Sequence, residues 1–240
     1  MPAAWRKSLA LEEFRKEFPE FGVRRDRNDD LRLVGAFTRV LHAEGLPEIE
    51  DTFDLEIVIP RSFPACPPRV YDRGARIPAD YHRLPDKALC LASPLRIALS
   101  VRREPTLLAF AGRFLTPYLY RFSHIDKFGR DPWPDLPHGV PGIIDDYSRL
   151  LGATSAQMCV GFIALLGRRK RIANKRPCPC GSGLRLGKCH HMRINGIRGV
   201  YPRSSFSSFH KHLAEYLASK RRWDSVNDAP AILGPQEESP

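Results

Sequence analysis

A cluster of three cysteines and one histidine lies within thirteen consecutive residues, CPCGSGLRLGKCH. The candidate ligands are Cys178, Cys180, Cys189 and His190. Thiolate sulfur and imidazole nitrogen are the ligands that a tetrahedral structural zinc ion prefers. Gly181, Gly183 and Gly187 tolerate positive φ, so they allow the tight turns that bring both ends of this short segment together. The spacing therefore predicts one structural Zn2+ site.

The fourth ligand has a second candidate, because His191 directly follows His190 in the chain. Cytosolic thiols are kept reduced, so a metal ion explains the cluster better than a disulfide or free surface cysteines do. The residues CPCGSG and KCH resemble the SEC-C motif, a zinc-binding segment first associated with the bacterial preprotein translocase ATPase. The resemblance implies a structural site that is used for partner contact and is closed to catalysis.

Cys90, in the segment DKALCLASP, is a further cysteine whose setting could support chemistry. It follows a proline-punctuated loop and precedes a long predicted helix. A thiolate is a competent nucleophile and a good leaving group, so a reactive cysteine can carry an acyl group as a thioester. A lone cysteine between two leucines is more often a packed core residue. Composition alone leaves both interpretations open.

His82 lies eight residues before Cys90, in a stretch without long periodicity. An imidazole that titrates near cellular pH can act as a base for an incoming nucleophile or donate a hydrogen bond to an oxyanion. A histidine that only packs the loop is the alternative interpretation. Asp86, close by in sequence, is more typical of a solvated turn.

The elements expected around Cys90 begin with a helix and two strands. Apolar residues at near-helical spacing predict an amphipathic helix over residues 8–19. The stretches Leu31–Leu41 and Thr52–Pro60 are rich in β-branched and aromatic residues, and FDLEIVI alternates with a period of two, which predicts neighbouring strands. The prolines of IPRSFPACPPRVYD exclude a regular central strand and favour an extended crossing segment.

Helices dominate the second half of the sequence. Over residues 106–122, apolar side chains recur at i, i+3, i+4 and i+7, which predicts a helix packed on the sheet and ended or kinked at Pro117. Further helices are predicted over 143–166 and 209–223. Residues 78–103 contain no convincing long periodic element.

The order of helix, strands, proline segment, histidine loop, cysteine and helix is that of ubiquitin-conjugating (E2) enzymes. The segments FDLEIVIPRSFPACPPRV and YHRLPDKALCL resemble the core of that family. The resemblance implies an α+β, UBC-like fold with an antiparallel meander sheet flanked by helices, and it favours Cys90 as the thioester nucleophile. The HPN motif of eukaryotic members is absent, and His82 stands where its Asn would be.

Prokaryotic E2-like proteins, including those of CBASS antiphage operons, often carry a histidine before the cysteine in this way. The segment WPDLPHGVPGIIDDYSRLLG, whose His138 and Gly139 we expect to be structural, and the terminal zinc motif are also similar to theirs. This resemblance implies conjugation through Cys90, helped by His82, of a protein partner linked through its C-terminus, such as a cGAS-like nucleotidyltransferase. P-loop and Rossmann glycine signatures are missing, so we expect ATP-dependent activation to come from another protein or to be unnecessary.

Basic charge is concentrated in one part of the 240-residue chain. Residues 1–159 contain 23 Lys and Arg against 22 Asp and Glu, whereas 160–222 contain 15 against 1, a net charge of +14. Clustered cations favour nucleic acid or an acidic protein surface as a partner, although a solvated face is an equal alternative. Three aromatic residues interleave with these cations and could stack on bases: Tyr201, Phe206 and Phe209.

The expected organisation has four parts. They are an E2-like domain over 1–150, a helix and basic linker over 151–176, a zinc knuckle with a C-terminal helix over 177–223, and a polar tail over 224–240. No apolar run approaches the ~18 residues needed to span a membrane, and charges fill the opening where a secretion signal needs an apolar core. We therefore expect a cytoplasmic E2-like acyltransferase. The alternative is an inactive E2-like adaptor that binds nucleic acid or an acidic protein through its basic region.

Overall fold

This computed structural model describes residues 9–134 and 139–227, with side chains through residue 220. The described residues form an α+β fold that divides into two compact units. The first unit takes in the residues before Gly139 together with Ile197–Tyr201, and the second takes in Gly139–Gly196 and the residues from Pro202 onward. Most of the predicted polar tail, from residue 228, lies outside the described residues, as does His138.

A four-stranded antiparallel sheet organises the first unit. Its strands are β1 (Gly22–Arg25), β2 (Leu31–Leu41), β3 (Ile49–Ile59) and β4 (Arg69–Asp72), and each pairs with the next along the chain. The predicted bounds of β2 match the structure, while β3 begins before the predicted Thr52. The sequence pattern does not predict β1 and β4, because each strand has four residues, too few to display a period of two.

One face of the sheet is buried, because apolar side chains occupy alternate positions along β2 and β3. The rings of Phe53 on β3 and Phe122 on the helix behind it meet edge to face at 5.9 Å. Gly35 on β2 permits a close crossing of the chain, since a Cβ at this position would collide with the carbonyl oxygen of Glu20. The sheet and this helix therefore share one hydrophobic core.

The helices of the first unit are α1 (Leu11–Glu17), α2 (Pro94–Arg103), α3 (Leu107–Phe110) and α4 (Thr116–Phe128). The structure thus contains a helix, α2, in a region where the periodicity predicts none. Its start nevertheless has a recognisable signature. The Ser93 hydroxyl accepts a hydrogen bond from the Arg96 amide at 3.4 Å, and Pro94 occupies the first turn, where its missing N–H has no cost.

The helical run that contains Pro117 changes type instead of ending. A π-helical turn, Ala111–Leu115, joins α3 to α4, and Pro117 lies in the first turn of α4. Proline cannot donate the backbone hydrogen bond that an α-helix interior requires. The π-helical turn changes the backbone hydrogen-bonding pattern immediately before Pro117, so the helical run continues to Phe128.

The second unit is helical. Its elements are α5 (Gly139–Leu151), α6 (Ala156–Leu166), α7 (Lys170–Ala173), a 3-10 turn (Leu186–Lys188), α8 (His191–Ile197) and α9 (Arg203–Asn227). The single helix predicted over 143–166 is broken into α5 and α6. Gly152 follows α5 in the left-handed region at φ +68°, and the Ser155 hydroxyl caps α6 by accepting the Met158 amide at 3.1 Å.

The observed boundary between units precedes the expected one at residue 150, because α5 packs with the other helices of the second unit. The ring of Tyr147 on α5, for example, meets the ring of Phe209 on α9 at 6.3 Å. No single helix in the described part of the chain is long and apolar enough to cross a membrane. The helices α5 and α6, bent by 72°, meet that test of length and composition only as a pair.

Candidate functional site

The structure gathers Cys178, Cys180, Cys189 and His190 into one cluster whose ligand atoms all lie within 4.8 Å of one another. Nδ1 of His190 is 3.1 Å from Sγ of Cys189 and 3.3 Å from Sγ of Cys178. The Sγ atoms of Cys180 and Cys189 are 3.5 Å apart. A tetrahedral ion with metal–sulfur bonds of about 2.3 Å would hold its sulfurs about 3.8 Å apart. The cluster therefore has the donors and the spacing to bind a metal ion.

Tight turns bring these ligands together in residues 174–190, which we call the metal loop. The Cys178 amide donates a hydrogen bond to the Leu184 carbonyl at 2.8 Å, which closes a small hairpin. Gly181 and Gly183 turn the chain inside it with φ of +77° and +73°, as their residue type predicts. The first ligand pair therefore lies on a hairpin whose shape depends on glycine.

Two other glycines act through close approach instead of through φ. A Cβ at Gly187 would lie 2.9 Å from the carbonyl oxygen of Asn174, which accepts the Gly187 amide at 3.0 Å. The prediction that Gly187 supplies a positive-φ turn is therefore wrong. On α6, a Cβ at Gly161 would lie 2.8 Å from the ring of Pro179. The metal loop packs directly on α6 at this point.

The structure distinguishes the two candidate histidines. The ring of Phe162 on α6 packs against the His190 ring at 5.3 Å, which helps to hold the imidazole toward the three sulfurs. His191 lies outside the cluster, and its Nδ1 is buried without a hydrogen-bond partner among the described residues. His190 is therefore the histidine that completes the site.

The thiols of the cluster differ in their readiness to ionise. Hydrogen bonds from the Ser182 side chain and backbone lower the pKa of Cys180 to about 6, and Sγ of Cys180 lies 3.2 Å from the Ser182 hydroxyl. Burial raises the pKa of Cys178 to about 11 in the metal-free cluster. A cation at this site would displace the Cys178 proton, because only thiolates ligate metals. No motif in the sequence indicates this role for Ser182.

Cys90 lies at the end of a hairpin in residues 73–93, which we call the Cys90 loop. The Cys90 amide donates to the His82 carbonyl at 2.7 Å, so the two residues are direct neighbours. One residue earlier, the Leu89 amide donates to the Val70 carbonyl of β4 at 2.8 Å. This hydrogen bond holds the residue before Cys90 against the edge of the sheet.

The Cys90 side chain is half-buried, intermediate between the core and surface interpretations. Burial raises the pKa of its thiol, so the thiol is mostly protonated at neutral pH. His82 adopts φ +38°, a left-handed conformation that is uncommon for a residue with a side chain. Its imidazole packs edge to face on the Tyr81 ring at 4.8 Å. Cys90 and His82, the predicted pair, are therefore adjacent and are joined by a backbone hydrogen bond.

Two tyrosines lie against the backbone beside Cys90. The Tyr118 hydroxyl, on α4, donates to the carbonyls of Tyr81 at 3.2 Å and His82 at 3.3 Å. Burial raises the pKa of Tyr81 to about 12 and that of Tyr118 further still, so both hydroxyls stay protonated. Sequence periodicity predicts that Tyr118 lies on the buried face of the helix. It does not predict the two carbonyls to which the hydroxyl donates, because they belong to a distant loop.

A buried ion pair anchors the same loop. The carboxylate of Asp72 has a fully buried side chain and lies 3.0 Å from the Arg83 guanidinium. Arg83 also donates to the carbonyl of Pro78 at 3.2 Å and that of Lys87 at 3.3 Å, while the Ile77 amide donates to Asp72 at 2.8 Å. One guanidinium therefore holds both arms of the loop to the end of β4. Neither charge follows from a motif, because the pairing depends on the folded loop.

A carboxylate beside His82 adds charge to the site. Burial opposes ionisation of Asp131, but hydrogen bonds from Arg121 and the Trp133 amide, together with the charge of nearby His82, lower its pKa. Arg121 binds this carboxylate through two nitrogens, at 2.9 and 2.5 Å. Asp131 is therefore ionised at neutral pH.

The cations of the second unit lie at its surface. Its residues 147–196 and 202–214 contain 12 Lys and Arg, all exposed, and no Asp or Glu. The aromatic residues predicted to stack on bases are engaged elsewhere. Phe206 is buried, its ring packs against Phe209 at 6.2 Å, and the Tyr201 hydroxyl donates to the Pro94 carbonyl at 3.0 Å. The basic surface therefore offers charge without a base-stacking platform from these three residues.

No protein-family model matches this chain, and no curated protein is significantly similar to it. Its function must therefore be inferred from its own residues. Two arrangements have defined chemistry: a cluster of four ligands for a metal ion, and a half-buried cysteine beside a histidine in a loop anchored to the sheet.

Proposed function

We propose that this chain is an E2-like acyltransferase in which Cys90 holds the C-terminal carboxyl of a protein partner as a thioester. The observation that carries the proposal is the position of Cys90, half-buried and paired with His82 in a loop anchored to the last strand of an antiparallel meander. A helix precedes the sheet and helices follow Cys90. That order is the one expected of a UBC-like fold, which we include in the proposal.

The reaction requires a thiol that can both attack and leave. The Cys90 sulfur attacks the carbonyl carbon of an activated carboxyl, the C–S bond forms, and the activating group departs with its electron pair. The thiol proton passes to a base. An amine or a second thiol then attacks the same carbon, and the Cys90 thiolate departs. By resemblance to CBASS proteins, the partner is a cGAS-like nucleotidyltransferase, with activation supplied by another protein if it is required.

The position of His82 favours the second half of this reaction. A nucleophilic amine must lose a proton as it attacks, and the neutral imidazole of His82, next to Cys90 in the loop, is a suitable acceptor for it. The Cys90 thiol itself remains mostly protonated at rest because burial raises its pKa. A protonated thiol of this kind is protected from adventitious alkylation.

We assign the metal ion of the second unit as zinc with a structural role. Three thiolates and an imidazole are a common structural zinc set, and the thiols stay reduced in a cytoplasmic setting. All four positions belong to protein ligands, so the ion would stabilise the metal loop and supply no open position for substrate.

The test of the conjugation proposal is a covalent adduct. The protein is purified together with the products of its genomic neighbours and examined on a denaturing, non-reducing gel. We expect a band that thiols and hydroxylamine remove, that Cys90→Ala abolishes, and that Cys90→Ser converts into a thiol-resistant oxyester. The matched control is Cys66→Ser, an exposed cysteine of the same unit. Loss of the band in Cys66→Ser but not in Cys90→Ala would contradict the proposal.

A second candidate function rests on a separate observation, the unbalanced cations of the metal loop. Four exposed cations flank its hairpin: Lys175, Arg176, Arg185 and Lys188. A bridge between Pro177 and Arg185 places the two arms side by side. No ion pair joins any of the four to a carboxylate among the described residues. A polyanion, either nucleic acid or an acidic protein segment, would neutralise them.

Salt dependence tests this second function. We expect the wild-type protein to retard a mixed-sequence RNA with an affinity that falls steeply between 50 and 200 mM salt, as counterion release requires. Replacing the four hairpin cations with Gln should remove most of that binding. The matched control replaces four exposed arginines of the sheet unit: Arg15, Arg24, Arg61 and Arg103. Equal losses in both variants would assign the effect to net charge alone.

A further inference from the structure

The backbone carbonyl of His82 accepts two hydrogen bonds from two different parts of the fold. One comes from the Cys90 amide at 2.7 Å and the other from the Tyr118 hydroxyl at 3.3 Å. The same hydroxyl lies 3.2 Å from the Tyr81 carbonyl. A single side chain on α4 therefore fixes the peptide that joins Tyr81 to His82, and through one shared acceptor it is linked to Cys90.

That peptide needs fixing because His82 is held in a strained conformation. A residue with a Cβ pays a conformational cost at φ +38°, and such a conformation persists only where the surrounding structure imposes it. The φ of His82 directs its imidazole, since the side chain leaves the backbone at this residue. The hydrogen bonds that hold the peptide therefore also set the direction of the ring.

The hydroxyl of Tyr118 is suited to a permanent role as donor. The residue is 8% exposed, and it lies in the part of the fold where the rings of Tyr81 and Phe122 pack edge to face at 5.3 Å. Burial raises the pKa of its hydroxyl, so the proton stays in place throughout the physiological range. A serine or water in this position would be free to reorient, whereas the aromatic ring is locked by packing.

We propose that Tyr118 is the positioning residue for the Cys90 and His82 pair, holding the histidine in its left-handed conformation so that imidazole and thiol face one acyl group. This inference rests on the proposed conjugation function, because positioning has a use only if both side chains act on one substrate. The Tyr118 hydroxyl donates to backbone carbonyls, so we assign it a positioning role and not a catalytic one.

The decisive variants are Tyr118→Phe and a matched control, Tyr120→Phe. Tyr120 lies on the same helix, is fully buried, and its hydroxyl also donates to a backbone carbonyl, that of Pro47 at 2.9 Å. Each variant loses one buried hydroxyl and one helix-to-loop anchor. Only Tyr118→Phe releases the Cys90 loop. Thermal unfolding of both variants checks that their stabilities are comparable.

The first measurement needs no partner. The rate of Cys90 alkylation by iodoacetamide, relative to that of Cys66 in the same protein, is followed by mass spectrometry. In Tyr118→Phe the loosened loop should expose the thiol and bring its pKa toward the ordinary value, which would raise the relative rate about threefold for each unit of pKa, since the gain in thiolate fraction exceeds the loss of nucleophilicity. Tyr120→Phe should leave it unchanged. An unchanged relative rate in Tyr118→Phe overturns the inference whether or not any adduct forms.

The second measurement is the rate of adduct formation and discharge. Tyr118→Phe should slow it about tenfold, and should slow it no further when His82 is already Ala, because both changes then remove the same positioned group. Independent, multiplicative effects would overturn the positioning role and leave the conjugation function intact. If wild-type protein forms no adduct while alkylation of Tyr118→Phe is faster, Tyr118 holds the loop but the proposed conjugation function is wrong.

Discussion

Cys180 in the metal loop and Cys90 in the loop after β4 are both half-buried, yet their thiols occupy opposite electrostatic settings. Hydrogen bonds from Ser182 lower the pKa of Cys180, whereas burial raises that of Cys90. Three other ligands converge on the Cys180 sulfur, while a backbone hydrogen bond links Cys90 to His82. The comparison indicates that ionisation prepares Cys180 to bind a cation, whereas burial keeps the Cys90 thiol protonated at neutral pH.

The two loops are also anchored by different means. The metal loop contains a small hairpin and a 3-10 turn with few buried side chains, so we expect a bound cation to supply much of its stability. The Cys90 loop is tied to the sheet unit by backbone bonds to β4, the Arg83 guanidinium and the Tyr118 hydroxyl. The following variants test whether this contrast holds.

The largest effect is expected from Cys189→Ser, which removes a ligand shared by two close contacts in the cluster. Structural zinc binding in small peptides amounts to about 10–16 kcal/mol, so its loss should strongly destabilise the metal loop while the sheet unit stays folded. Elemental analysis should fall from one zinc per chain to none, and hydrogen exchange should accelerate across 174–190 alone. Cys66→Ser, an exposed non-ligand, serves as the control. Full zinc content in Cys189→Ser would contradict the ligand assignment.

The anchor of the Cys90 loop is tested by Arg83→Met. Its partner, Asp72, would be left as an uncompensated buried carboxylate, and breaking such a pair costs about 3–5 kcal/mol. The control is Arg69→Met, which breaks the pair with Asp86 where both side chains are well exposed, at a cost of about 0–1 kcal/mol. Urea unfolding followed by the intrinsic fluorescence of the chain measures both. Equal losses would mean that Arg83 does not act as a buried anchor.

The sequence predicts these two loops to different extents. The metal ligands are close together in the chain, so spacing alone predicts their convergence, and only the choice between His190 and His191 requires coordinates. The strand bounds of β2 follow from its alternation over eleven residues. The supports of Cys90 come from β4 and α4, far away in sequence. No local pattern connects Tyr118 to a carbonyl 36 residues earlier, so this part of the site could not be predicted.

Alkylation profiles sharpen the contrast between the thiols. In metal-stripped protein, the rate for Cys180 should reach half its maximum near pH 6, whereas that for Cys90 should keep rising above the ordinary cysteine value of about 8.5. At pH 7 Cys180 should therefore react several-fold faster, because its larger thiolate fraction outweighs the lower nucleophilicity of a thiolate of low pKa. Zinc should slow the alkylation of Cys180 and leave that of Cys90 unchanged.

The Ser182→Ala variant should raise the pH at which the alkylation rate of Cys180 reaches half its maximum. A midpoint near 8.5 in the unmodified loop would show that the Ser182 hydrogen bonds do not persist without metal.

The smallest expected effect concerns the seat of the metal loop on α6. Gly161 lies inside that helix, where alanine would ordinarily be favoured by up to about 1 kcal/mol. A Cβ there would instead lie 2.8 and 2.9 Å from two ring carbons of Pro179, so the loop or the helix must shift. Overpacking of this kind costs about 1–3 kcal/mol, and we expect Gly161→Ala to lower the melting temperature of the second unit and to speed zinc loss to a chelator.

Gly196→Ala is the matched control, because a Cβ on that helical glycine would have no atom within 4 Å. It should be neutral or slightly stabilising. If Gly161→Ala is also neutral and retains zinc as long as the wild type does, the contact between Pro179 and α6 is not what seats the metal loop.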